Sequence, residues 1–236
     1  MKQNYKENIM AKKVFLLFYL FTFLLFSCTT DSYDKGEGKY SLMQAEMVEL
    51  SVDGKKQATA FVLDDDSHFT LTSPATASWI QKADTTYRAI LYFNKLTETT
   101  AECVQMGAVP TLRPVEHWKM KELPQDPVGF ESAWLSKKGK YLNVGLLLKT
   151  GQVDGEDGIH TVGIAQDTIL VNADNTRTAY YRFLHDQGGV PEYYTNRRYI
   201  SILLPSDQSL DTIRLTIPTY EGMKERAFRV RFLFVP

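Results

Sequence analysis

Beyond residue 40 the chain alternates apolar and polar side chains with a period of two, and no long stretch keeps the three-to-four spacing of an amphipathic helix. Segments 58–63 and 69–71 flank Asp64-Asp65-Asp66-Ser67-His68, which predicts a hairpin with a polar turn. Met43, Ala45 and Met47 alternate before Val48 and Leu50 take over the apolar phase, the pattern of a strand carrying a bulge. Segment 87–93 reads as a half-buried strand, with 101–106 as its partner. About five short strands in this first stretch predict a small barrel or meander.

Four of the nine prolines, Pro110, Pro114, Pro124 and Pro127, follow close together. Proline cannot donate to a β-ladder and stiffens a connection, so a boundary is expected within 117–126, between a β-domain over residues 40–118 and a second over 119–236. The second half offers eight candidate strands: 130–135, 141–149, 161–165, 168–171, 178–184, 199–204, 212–217 and 227–235. Turn signals between them include Lys138-Gly139, Asp154-Gly155 and Gly188-Gly189. Ile213, Leu215 and Ile217 predict an inward face with Arg214 outward, and Phe228, Val230, Phe232 and Phe234 do the same for the last strand. Segment 142–148 is apolar at most positions, as a central strand covered on both faces should be. The spacing predicts a β-sandwich, so the whole is expected to be all-β.

The N-terminus has another character. Lys12 and Lys13 precede thirteen positions, Val14 to Phe26, broken only by Thr22. A membrane-spanning helix needs about 20 apolar residues, so this run suits the apolar region of a signal peptide over residues 1–27. The start stays open between Met1 and Met10. Leu25-Phe26-Ser27-Cys28 resembles the lipobox of bacterial lipoproteins, which implies cleavage before Cys28 and its acylation; the alternative is an ordinary signal peptide with an incidental cysteine. Several acyl chains at about 0.8 kcal/mol per buried CH2 would make a lasting membrane anchor. Residues 28–39 are polar and glycine-containing and read as a flexible tether, with Asp31 and Asp34 resembling the acidic start of surface lipoproteins of Bacteroidota. The expected location is the outer membrane, lipid-anchored, facing outward rather than into the periplasm.

Processing changes the electrostatics. Of the 236 residues, removal of the first 27 takes four lysines and Glu7, leaving 209 residues with 23 basic and 27 acidic side chains, a net charge of −4 in place of −1. Two cysteines exclude a disulfide-rich scaffold and a four-thiolate zinc site, and acylation of Cys28 would leave only Cys103 as a thiol.

Asp126-Pro127-Val128, the stretch Gly139-Lys140-Tyr141-Leu142-Asn143-Val144 and His160-Thr161-Val162-Gly163-Ile164, placed after a lipobox, an acidic tether and a small β-domain, resemble the NigD-like lipoproteins of Bacteroidota. The resemblance runs from about residue 28 to 236 and implies an OB-like barrel followed by a β-sandwich. The family's Asp-Gly turn after the second strand is replaced here by Asp64-Asp65-Asp66-Ser67. It supplies architecture and location rather than a reaction.

The chemistry-bearing residues form no catalytic signature, so a non-enzyme is expected. Cys103 with His117, His160 or His185 would be the only thiol–imidazole choice, and Cys103 sits in an alternating strand where free cysteine acts as a small hydrophobe. Asp64-Asp65-Asp66 and Asp154-Gly155-Glu156-Asp157-Gly158 lack calcium-loop spacing and read as solvated turns. The four histidines show no metal-ligand spacing, and no cofactor is expected. Nucleic acid is disfavoured by the negative charge and the lack of a basic cluster beyond Lys55-Lys56 in the first domain. A long connection, 185–198, places Tyr193 and Tyr194 beside Arg197 and Arg198, side-chain types enriched at binding hot spots; these four are the candidate interaction loop. Trp79, Trp118 and Trp134 are expected as core or interdomain fillers. The function expected is a non-catalytic binding or assembly module with an envelope protein or glycan partner. The alternatives are a hydrolase of envelope or host glycans and a structural subunit pairing through an exposed strand edge.

Overall fold

The computed structural model describes residues 38, 40–153, 156–206 and 210–230. The signal segment, Cys28, all of the tether except Gly38, and Phe232 and Phe234 lie outside the described residues. Among the described residues there is no α-helix; a single 3-10 turn spans His117–Lys119.

Five strands build the first module: β1 (Gln44–Val52), β2 (Ala58–Leu63), β3 (His68–Ala75), β4 (Thr85–Lys95) and β5 (Thr100–Ala108). They close in the order β1-β2-β3-β5-β4 and back to β1, with β3 and β5 parallel at Thr70–Thr100 and Leu71–Ala101. That is the OB-type barrel expected from the resemblance. Its interior is filled by Val48, Leu50, Phe61, Phe69, Leu71, Leu91 and Phe93. Phe61 stacks on Phe69 at 5.2 Å and tilts against Phe93 at 4.9 Å. The turn between β1 and β2 is held by Asp53, whose Oδ1 accepts from the amides of Lys55 and Gln57 at 2.9 Å each. The expected bulge is not in β1, whose register against β4 is unbroken; the irregularity opposite Ser51 and Val52 is an extra residue, Thr59, in β2. Met47 and Val48 are both buried because Val48 faces the barrel interior, while Met47 shares the outward face with Glu49, which meets the second module. Cys103 lies on β5, partly buried against the barrel core, beside a register shift opposite Tyr92 and Phe93.

The chain changes sheets after β5, sooner than the expected switch at 118/119. Strands β6 (Thr111–Leu112) and β7 (Val115–Glu116) already belong to the C-terminal sheets, where each pairs in parallel. There follow β8 (Gly129–Leu135), β9 (Tyr141–Thr150), the short pair β10 (Gln152–Val153) and β11 (Glu156–Asp157), β12 (Thr161–Val171), β13 (Arg177–Asp186), β14 (Tyr194–Leu203), β15 (Thr212–Thr219) and β16 (Gly222–Arg229). One sheet has the order β16-β15-β13-β12-β7 and the other β6-β14-β9-β8. Side chains from both sheets form one core, including Leu142, Val144, Leu146, Ile164, Tyr181, Phe183, Ile200, Ile213, Leu215 and Ile217.

Two candidate strands, 161–165 and 168–171, are one strand in the structure. The register of β12 against β13 shifts between Gln166 and Thr168, so the strand absorbs Asp167 as an extra residue and continues. Asp167 accepts hydrogen bonds from Arg182 on β13, at 3.1 Å from Nε and 2.5 Å from Nη2. A polar residue broke the apolar pattern without ending the strand.

Candidate functional site

Barrel and sandwich lie in one compact unit that begins at Leu42. They are joined by polar side chains that stand on the faces of their strands turned away from each module's own core. Arg88 on β4 points out of the barrel and is buried. Its two terminal nitrogens grip both carboxylate oxygens of Asp64, at 2.6 and 2.9 Å. Its Nε donates to Ser201 Oγ at 3.1 Å and its Nη2 to Asn143 Oδ1 at 3.1 Å. Ser201 on β14 donates in turn to Asn143 Oδ1 at 2.7 Å, and the Asn143 amide reaches Asp64 at 3.3 Å. The guanidinium lies 4.1 Å from the centre of the Tyr141 ring.

Around this knot, Tyr141 donates its hydroxyl to Glu49 on β1 at 2.9 Å, and Lys140 pairs with the same carboxylate. Burial raises the proton affinity of Glu49, but the hydrogen bonds from Lys140 and Tyr141 outweigh it and hold the carboxyl below its ordinary value. Burial first, then the bond to Glu49, pushes the Tyr141 phenol well above its ordinary range. Asp65 meets Lys137 at 2.9 Å, and this bond with that from Ser67 draws its carboxyl down to about 2. Asp64-Asp65-Asp66 is therefore not a freely solvated turn. It is docked on Lys137 and Lys138 of the β8–β9 turn, where Gly139 takes the positive φ of 64°. The stretch from Gly139 to Asn143 is the sandwich half of this joint.

The joint seals one part of the contact; beside it the two modules leave a cleft of about 790 Å³. Strand β14 is paired on one side along its whole length by β9, but on the other side β6 covers only Ser201 and Ile202. The edge from Tyr194 to Ile200 is open among the described residues. Seven residues at about 3.3 Å each make roughly 20 Å of unpaired backbone. Ser201 sends its amide away from β9 to the Pro110 carbonyl at 2.9 Å, so by alternation Tyr199, Arg197 and Thr195 also present N–H and C=O groups to the open side. The barrel contributes Ile90, Tyr92 and Gln105 as the opposite wall. Leu146, Leu148, Val162 and Ile200 give the cleft an apolar floor that continues into the sandwich core.

Of the four candidate loop residues, Tyr194, Arg197 and Arg198 line this cleft and Tyr193, 77% exposed, does not. They do not form a loop. Tyr194, Arg197 and Arg198 stand on β14, which starts five residues earlier than the expected strand because the polar run Tyr194–Arg198 is an edge with no sheet to cover it. Arg197 pairs with Glu131 of β8 over the intervening strand β9, at 2.5 Å. Arg198, on the other face of the strand, has no ion-pair partner among the described residues. Trp134 meets Tyr199 edge-on at 6.2 Å and Trp79 meets Tyr87 at 5.6 Å, whereas Trp118 is 65% exposed and fills no core.

His160, which lines the cleft, belongs to a histidine pair with the fully buried His185 that periodicity could not reveal. His185 Nδ1 lies 3.1 Å from the Asp126 carbonyl, which can only accept, so this nitrogen carries the proton. His185 Nε2 then accepts from His160 Nδ1 at 2.9 Å. This assigns the His160 Nε2 lone pair as free; that atom is buried with no hydrogen-bond partner among the described residues. Burial, then His185 and Arg198, lower the proton affinity of His160. Among the described residues no cluster of His, Cys, Asp or Glu is arranged to hold a metal ion.

A barrel of OB topology joined to a two-sheet sandwich, with a cleft along an open strand, defines the class of structure. Solved structures share the fold. The chain is similar to a NigD-like immunity protein from Bacteroides caccae ATCC 43185, at 24% identity and a TM-score of 0.58 over 78% of this chain and 91% of that one. A protein of unknown function from Bacteroides vulgatus ATCC 8482 matches at 14% identity and 0.59 over 79% and 90%. A candidate lipoprotein from Bacteroides fragilis NCTC 9343 matches at 10% and 0.55 over 79% and 96%. No protein-family model and no curated protein matches the sequence.

Proposed function

We propose that this protein is a NigD-like, lipid-anchored binding module of the bacterial envelope, held through Cys28 in the outer membrane with its folded part outward, and that it engages an envelope protein through the cleft beside β14. The observation that carries the reading is the open edge from Tyr194 to Ile200, bordered by a cleft of about 790 Å³ with an apolar floor and a few polar groups on its rim. The shared fold with a NigD-like protein and with a candidate lipoprotein supports the family and the anchor. Edge backbone, tyrosines and arginines are equipment for binding. Hydrolysis of a glycan by paired acids needs two carboxylates across a cleft, and the described lining residues include none. The test is a photo-cross-linking amino acid placed at position 194 of the anchored protein in intact cells. A discrete adduct with one envelope protein is expected from position 194 and none from position 55, in the barrel's β1–β2 turn. Adducts from position 55 alone would overturn the reading.

A further inference from the structure

Among its described residues the lining of the cleft is one-sided in charge. Arg197 and Arg198 bring guanidinium groups and His160 an unpartnered ring nitrogen, while no carboxylate appears among its described residues. Arg197 is neutralised by Glu131, which leaves Arg198 as the uncompensated cation among the described lining residues. Arg198 shares its face of β14 with Asn196 and Ile200 and stands near enough to His160 to act on it electrostatically. Directly beside them run the outward backbone groups of Thr195, Arg197 and Tyr199. The chain itself already shows how this edge is used: Thr111–Leu112 adds a parallel strand at Ser201–Ile202 and then stops. On the upstream side, Val109 is tied to the barrel by its amide to the Arg88 carbonyl at 3.0 Å, so the linker cannot extend along the rest of β14.

We propose that the occupant of the cleft is an extended peptide segment of another protein, added as a strand to the Thr195–Tyr199 edge and carrying an aspartate or glutamate onto Arg198. The inference rests on the cleft being the binding site. Main-chain hydrogen bonds to the edge supply affinity that is independent of sequence, and the pocket beside them supplies selectivity. A guanidinium can hold a carboxylate at both oxygens.

An arginine turned inward on an edge is also a known guard against unwanted pairing. The two roles predict opposite outcomes when Arg198 is removed. The test uses the full mature chain with Cys28→Ala and a displayed library of random dodecapeptides. Selected peptides are expected to be enriched in Asp and Glu and to lack proline in the bound segment. Synthetic copies should bind Arg198→Gln at least about tenfold more weakly, the loss expected for a charge-assisted contact. Arg198→Glu should prefer copies in which the acid is replaced by lysine. N-methylation of alternate amides should weaken binding about tenfold or more in one phase and little in the other, as a ladder requires. Tighter binding to Arg198→Gln would assign the arginine a guarding role and overturn the inference. Peptides without acidic enrichment, or indifferent to both N-methylation phases, would also overturn it. A cross-link from position 194 in cells with no selected peptide would reject the acidic-strand occupant and leave the cleft as the binding site; failure of both would reject the cleft.

Discussion

The guanidinium of Arg88 holds the carboxylate of Asp64 at both oxygens, 2.6 and 2.9 Å away, in the contact between a barrel and a sandwich that share no sheet. The Arg88 side chain is 2% exposed and Asp64 17%. A charge so buried is tolerated because every neighbour is a partner: Asn143, Ser201 and the Tyr141 ring complete its shell. Together they set the angle of the cleft wall against β14.

Removing one side of this pair should cost more than removing the better-solvated group suggests. Asp64→Ala leaves the Arg88 guanidinium buried without its carboxylate and is expected to destabilise the protein by about 3 kcal/mol or more. Arg88→Met, which leaves the less buried Asp64, should cost less. Urea unfolding followed by tryptophan fluorescence reads both, and an equal or reversed order would contradict the assignment of Arg88 as the buried charge.

Gly145 is fixed by space. A Cβ there would meet Ser132 Oγ at 2.8 Å and the Tyr199 ring at 3.2 Å. Gly145→Ala is therefore expected to cost about 1–3 kcal/mol through overpacking and to displace Tyr199 from the cleft rim. Thermal unfolding gives the first number, and a change in Trp134 emission, through its edge contact with Tyr199, reports the second.

The histidine pair predicts a pH dependence of definite sign. The proton affinity of His160 is lowered on folding, so the unfolded chain binds more protons near the ordinary value of 6.5. Its contribution to stability is full above that value and is lost as pH falls through the lowered folded value. The urea midpoint should decline from pH 7.5 to 5, and His160→Gln should decline less. Equal slopes for the two proteins would remove His160 as the cause.

The anchor is tested apart from the fold. Cys28→Ala should move the protein from the membrane fraction to the soluble fraction, with unchanged unfolding behaviour. Retention in the membrane as for the parent would show that Cys28 is not the attachment point.

Strand patterns were legible wherever one face of a strand meets a core and the other meets water. The segments 58–63, 87–93 and 212–217 fall within β2, β4 and β15 for that reason, and Arg214 points outward as its alternation predicts. The patterns misled where a second surface intervenes. Met47 is apolar out of phase because the sandwich covers the barrel there, and Asp64 looks like a turn residue although it is half of the joint. A signal was present in Asn143, a polar residue in a strand read as covered on both faces, which therefore needs a buried partner. Arg88 in segment 87–93 was the matching signal on the barrel side. The His160–His185 pair was out of reach because it depends on where β12 and β13 stand against each other, which no local pattern encodes. Arg197 and Arg198 were visible as candidates by type, but their place on an open edge follows from the shortness of β6.

Hydrogen exchange at the backbone amides of Thr195, Arg197 and Tyr199 reads strand addition at the β14 edge residue by residue. In the free protein no strand among the described residues faces these amides, which should exchange rapidly, while those of Asn196, Arg198 and Ile200, paired to β9, exchange slowly. On saturation with a selected acidic peptide the first three should become protected, in step with one another. Full binding that leaves these three amides exchanging as in the free chain would contradict strand addition at the β14 edge.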